Sequence, residues 1–296
     1  MPTLEQRLFG NTGLAVPALG FGGGHIGGDE VSDAQAVQII HRTLDLGITL
    51  LDTARGYGRS EERIGHAIRS RRHEVVLSTK IGYGVAGFAD WTADIIPAGV
   101  TEALRVLQTD YLDIVHLHSC SVDILENSGV VEALQREQQA GRIRVAAYSG
   151  DNDSLVWAVN SGAFGSIQCS FSICDQRILE TALPTAIRNG LGVIAKRPIA
   201  NAPWRYSSRP AGPATATNWD RFNQMGLRDW NLDWADAALR FAAFTPGIHS
   251  CIVGTRNPMH LEANVASLQN GPLAPDLASS IRAIYRQHGN DWHSTI

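Results

Sequence analysis

The run Ile48-Thr49-Leu50-Leu51-Asp52-Thr53-Ala54-Arg55-Gly56-Tyr57-Gly58-Arg59-Ser60-Glu61-Glu62-Arg63-Ile64-Gly65 decides how the rest of the chain is read. Its first residues form a short apolar, strand-like run ending on Asp52, and Ser60 stands where a helix over 61–69 would take its N-cap. A buried strand therefore gives way to a helix, with an acid and a phenol five residues apart at the junction. Two later strand ends, Ser78-Thr79-Lys80 and Val115-His116-Leu117-His118, add a lysine and a histidine. Asp52, Tyr57, Lys80 and His118 at the ends of separate strands point to proton transfer rather than to a structural cluster.

The same rhythm runs outward in both directions. Apolar runs at 18–22, 48–52, 75–80, 111–118, 143–149, 166–171, 192–196 and 250–255 alternate with helical stretches. Helix starts are marked at Ser32-Asp33, Ser60 and Asn257-Pro258, and Gly47 and Gly190 stand where C-terminal caps belong. Eight such units fit a closed parallel barrel, although an open doubly wound sheet meets the same alternation. Three features favour the barrel: the count of eight, the lack of a G-x-G-x-x-G after the first strand, and reactive residues at several strand ends. The expected fold is thus α/β, a (β/α)8 TIM barrel forming one domain over 1–296. Residues 7–16 read as an N-terminal β-hairpin with its turn near Asn11 to Gly13, placed to plug the barrel floor. Segment 200–232, with Trp204, Trp219 and Trp230, is too long for a plain connection, so it is expected as a long loop on the C-terminal face. Its tryptophans suit loop anchors and substrate walls equally.

With 44% hydrophobic and 18% charged residues, the chain has the makings of a large core and a modest surface. A net charge of -4 offers no basic field for a phosphate backbone, so no nucleic acid partner is expected. The start, Met1 to Arg7, has no apolar core of a signal peptide, and no apolar stretch approaches the roughly 18 residues of a membrane span. A cytoplasmic protein without membrane contact is the expectation. Cys120, Cys169, Cys174 and Cys251 lack zinc-type spacing and read as reduced and buried.

A tyrosine alone would titrate near ~10. An ammonium about 4 Å away contributes roughly 4 kcal/mol at an effective dielectric of about 20, so Lys80 could bring Tyr57 towards neutrality, with Asp52 fixing Lys80. His118 could orient a carbonyl oxygen. His116 and His118 share one side of their strand and could instead suggest a metal-dependent barrel hydrolase, but no Asp, Glu or His set completes that site. A cofactor-binding regulatory barrel without turnover is the other alternative. Gly22-Gly23-Gly24 suits cofactor phosphates or a tight turn.

These residues also carry a resemblance to the aldo-keto reductase superfamily. It rests on D-T-A-x-x-Y-G-x-S-E-x-x-x-G from Asp52 to Gly65, T-K at Thr79-Lys80, D-Y-x-D-x-x-x-x-H from Asp110 to His118, and G-R-I-R-x-x-x-x-S from Gly141 to Ser149. Gln168 and I-V-G-T-R-N-P-x-H-L-x-x-N from Ile252 to Asn264 complete it. The resemblance implies a barrel that binds a nicotinamide cofactor in extended form, with Asp52, Tyr57, Lys80 and His118 as catalytic tetrad. The implied activity is hydride transfer between that cofactor and a small carbonyl or alcohol substrate: an aldehyde, a ketone or a sugar. Ser149 and Gln168 become candidates for holding the carboxamide. Gly22, Gly23, Asp151, Lys196, Arg197, Gly254, Thr255, Arg256, His260 and Asn264 complete the expected cofactor contacts. Three departures stand out: Gly150-Asp151 where an asparagine usually follows the serine, Lys196-Arg197 where an aromatic ring often stacks, and Gly254 and His260 in place of a lysine and an arginine. NADP(H) is expected to be preferred through Arg256, with NAD(H) also accepted.

Overall fold

The computed structural model describes residues 4–295. Two short strands, β1 (Gln6–Leu8) and β2 (Ala15–Pro17), pair antiparallel as the expected hairpin. Eight more follow: β3 (Leu19–Gly22), β4 (Leu50–Asp52), β5 (Val76–Ile81), β6 (Leu112–His118), β7 (Ile143–Ser149), β8 (Ser166–Ser170), β9 (Gly192–Lys196) and β10 (Ser250–Val253). They pair in parallel in chain order, and β10 returns to β3, closing the (β/α)8 barrel. Register then aligns the reactive residues along one rim: Asp52 opposite Ser78, Lys80 opposite His116, His118 opposite Ser149, and Ser149 opposite Gln168.

The helix Asp33–Asp45 opens with a capping box, in which Ser32 Oγ accepts from Gln35 N at 3.2 Å and Gln35 Oε1 accepts from Ser32 N at 2.9 Å. Asn257 caps the helix Pro258–Gln269. Ser60 departs from expectation: the helix begins at Ser60 itself, whose side chain caps nothing. Its hydroxyl is buried and accepts from Thr53 Oγ1 at 2.8 Å, so it serves the strand-helix packing instead.

Most of the core lies between the sheet and its surrounding helices; a smaller cluster fills the barrel floor. There the hairpin inserts Phe9, Leu14 and Val16 against Leu50, Ile114, Val145, Ala147 and Ile194. Phe9 fits because position 192 is glycine, where a Cβ would come within 2.6 Å of the ring. Arg7 anchors the hairpin from outside by donating to the carbonyls of Ala243 at 2.6 Å and Ile248 at 3.2 Å.

Segment 200–232 is more ordered than a loop. It folds a 12-residue helix, Pro213–Gln224, around a small aromatic core in which Trp204 stacks on Trp234 and Phe222 meets Trp234 edge-on. Trp204 and Trp230 are therefore anchors. No helix among the described residues is long and apolar enough to cross a membrane.

Candidate active site

Asp52 is the hub of a buried polar network at the C-terminal rim. Its Oδ2 accepts from Lys80 Nζ at 2.6 Å, and its Oδ1 accepts from Ser78 Oγ and from Gln168 Nε2, both at 2.8 Å. Lys80 also donates to the Thr53 carbonyl at 2.7 Å. Ser149 Oγ donates to Gln168 Oε1 at 3.1 Å, so the two residues assigned to a carboxamide are joined to Asp52 through one amide. Because Ser78 gives its proton to Asp52, it accepts from His116 Nε2, 3.1 Å away. His116 is thereby a buried member of the network. Among the described residues no three His, Cys, Asp or Glu side chains converge as metal ligands, which leaves the His116/His118 pair without a third donor.

Tyr57 lies over this network. Lys80 Nζ sits 5.0 Å from its ring centroid, and His118 meets the ring edge-on at 6.0 Å. Lys80 faces the ring and is matched by Asp52, so it does not bring the phenol towards neutrality. Burial, reinforced by the Asp52 carboxylate, pushes the Tyr57 hydroxyl up to about 12, against the opposing pull of Lys196 and Arg197. Tyr57 is a proton donor at rest. Burial lowers the Lys80 ammonium, opposed by the Asp52 carboxylate 2.6 Å away. His118 is brought down to about 3 by burial and by Lys80 and Lys196, and is therefore neutral across the working range.

Lys196 is not a free charge. Its Nζ pairs at 2.9 Å with Asp151, which is fully buried and also accepts from Ser170 N at 2.7 Å. The residue after Asp151, after His118 and after Lys196 each adopts a left-handed backbone: Asn152 at φ 56°, Ser119 at 60° and Arg197 at 56°. Non-glycine residues there cost roughly 1–3 kcal/mol each, and such strain gathers where a turn must aim its neighbour. Arg197 donates to the Thr295 carbonyl and, at 3.1 Å, to its hydroxyl, drawing segment 290–295 over the rim.

Next to β9, where Ile252 of β10 pairs with Lys196, Gly22 and Gly254 let the ends of β3 and β10 close together; a Cβ on Gly254 would lie 2.7 Å from the Gly22 carbonyl. Gly23 is packed against Ser60. Arg256 pairs with Glu30 at 3.0 Å. Thr255 Oγ1 lies 3.1 Å from His260 Nδ1, and Asn264 is half-buried on the same helix, Pro258–Gln269. The described structure thus divides the expected residues into a buried rim group and a second group around the exposed Arg256. Tyr83, which no motif marks, joins the first group by placing its hydroxyl 2.7 Å from His118 Nδ1.

Comparison with known proteins places this arrangement in a family. The profile of the Aldo/keto reductase family matches residues 18–286. L-galactose dehydrogenase of Arabidopsis thaliana is 28% identical over all of this chain and 99% of its own length. D-threo-aldose 1-dehydrogenase of a Pseudomonas species is 26% identical over 85% of this chain and 89% of its own. An aldo-keto reductase of Bacillus halodurans, solved in its holo form, superposes with a TM-score of 0.81 at 25% identity, covering 95% of this chain and 96% of that one.

Proposed function

Because the chain belongs to the aldo/keto reductase family, we propose that it interconverts a small carbonyl compound and its alcohol with NAD(P)(H), and that Asp52, Tyr57, Lys80 and His118 carry the chemistry. The observation that supports this most is the buried Lys80–Asp52 pair, 2.6 Å apart, lying under a phenol that faces a neutral histidine. Tyr57 would give its proton to the carbonyl oxygen, and His118 would hold that oxygen by hydrogen bonding. Asp52 would hold Lys80 against the face of the phenol, fixing the ring that presents the proton.

The residues present suit a nicotinamide cofactor, which when bound supplies or accepts the hydride. Ser149 and Gln168 form a hydrogen-bonding pair at the rim, Gly22 and Gly254 lie where β3 and β10 end, and Lys196, Arg197 and Arg256 offer cations. We assign the remaining contacts to Gly23, Asp151, Thr255, His260 and Asn264. A mild preference for NADP(H) follows from Arg256, tempered because Glu30 already engages it. Sugars are the first substrates to test, since two relatives are named for galactose and aldose oxidation.

Tyr57→Phe removes one proton donor and little contact area. Turnover of aldehydes, ketones and sugars should fall about 10²–10⁴-fold, with cofactor affinity held within a few-fold. Retention of most activity would overturn the assignment. Cofactor binding without turnover by the wild type would support the regulatory alternative instead.

A further inference from the structure

His118 is held from its far side. The Tyr83 hydroxyl lies 2.7 Å from Nδ1, and the two rings stack with centroids 5.6 Å apart. The surroundings are shaped for that hydroxyl. Gly56, in the turn before Tyr57, has an ordinary backbone, yet a Cβ there would sit 2.6 Å from the Tyr83 oxygen. Gly82, at φ 127°, lies so close to Trp91 that a Cβ would meet the indole at 2.2 Å. Trp91 N donates to the Gly82 carbonyl at 2.8 Å, and the indole packs on Tyr83 at 5.9 Å, so a closed loop fixes the phenol.

Resting on the reading of His118 as the group that orients the carbonyl oxygen, we propose that Tyr83 is a positioning residue: its hydroxyl donates to Nδ1, fixes the imidazole as the Nε2–H tautomer and keeps that N–H available to substrate. A neutral imidazole has one donor nitrogen and one acceptor nitrogen, and the bond made by one sets the role of the other. His118 is neutral because burial, Lys80 and Lys196 oppose its charge. Tyr83 keeps its proton because burial and neighbouring Tyr57 raise its pKa. The reverse tautomer would turn a lone pair on Nε2 towards the lone pairs of a carbonyl oxygen.

The test is long-range 1H–15N NMR of histidine-labelled protein, which separates the two tautomers, with the His118 signals identified by their loss in His118→Gln. The wild type should show Nε2–H, and Tyr83→Phe a mixture. In that variant kcat/KM for carbonyl reduction should fall roughly 10- to 100-fold, mostly in kcat, with cofactor affinity unchanged within about twofold. Gly56→Ala displaces the hydroxyl without deleting it and should reproduce both changes, which covers a Tyr83→Phe protein that does not fold. An Nδ1–H wild type, a tautomer unchanged in the variants, or a changed tautomer with unchanged kcat/KM would each overturn the proposal. The spectrum is read on the free protein, so a wild type without turnover would fail the proposed function alone.

Discussion

Asp175 lies buried behind the rim, with Ser294 Oγ donating to Oδ1 at 2.8 Å, Arg221 held off at 3.8 Å, and Oδ2 without a hydrogen-bond partner among the described residues. Burial, with the nearby Asp151 carboxylate, raises its pKa from 3.8 to about 6. The folded protein therefore binds more protons than the unfolded chain between those values. Stability from this group is full below about 3.8 and declines as pH rises through about 6. Asp175→Asn should flatten that slope, so the stability difference between wild type and variant should change by roughly 2 kcal/mol between about pH 4.5 and 7. Urea denaturation of both proteins at the two pH values checks it; parallel pH dependences would remove the claim. The same scale explains why Tyr83 was not legible while Tyr57 was. Tyr57 keeps a fixed distance from a strand-end acid, whereas Tyr83 reaches His118 only because Gly82 and Trp91 close a loop, and such closure leaves no periodic trace.

Among the elements, the segments after β3 and β10 meet through Glu30 and Arg256, with both side chains about half exposed at 54% and 53%. An exposed pair of this kind contributes roughly 0–1 kcal/mol to stability, so its effect is felt chiefly in what Arg256 is free to bind. Glu30→Gln releases the guanidinium. Affinity for the phosphorylated cofactor should then rise several-fold, while affinity for the unphosphorylated form should stay within about twofold. Fluorescence titrations with both cofactors measure the ratio, and equal change would show that Arg256 does not read the 2′-phosphate. The eight strands and the capped helices were legible because buried strands are continuous apolar runs and caps have their own chemistry. The helix Pro213–Gln224 was not, since its support comes from Trp204 and Trp234 on either side of it in sequence. Gly212-Pro213 at its start was the available signal.

For the whole molecule, the floor and the mouth of the barrel do different work on the same strands. Along β6, Asp113 near the start is buried between Arg72 and Arg144, at 2.8 and 2.9 Å, whereas His118 at the end faces the site. One sequence motif thus carries both a structural ion pair and a candidate catalytic group. Phe9→Ala should test the division. Emptying the floor should lower unfolding free energy by about 3–5 kcal/mol in denaturant titrations, with kcat/KM per folded molecule unchanged. A large kinetic change would mean that the two ends are coupled. The hairpin that delivers Phe9 also has a consequence in time. Arg7 completes its contact with the Ala243 carbonyl across 236 residues. At roughly 5–20 residues per second of synthesis, about 10–50 seconds separate the emergence of the hairpin from that of its anchor. Through that interval Phe9 and Val16 have no closed barrel to receive them, so a segment made early in this chain is among the last to be secured.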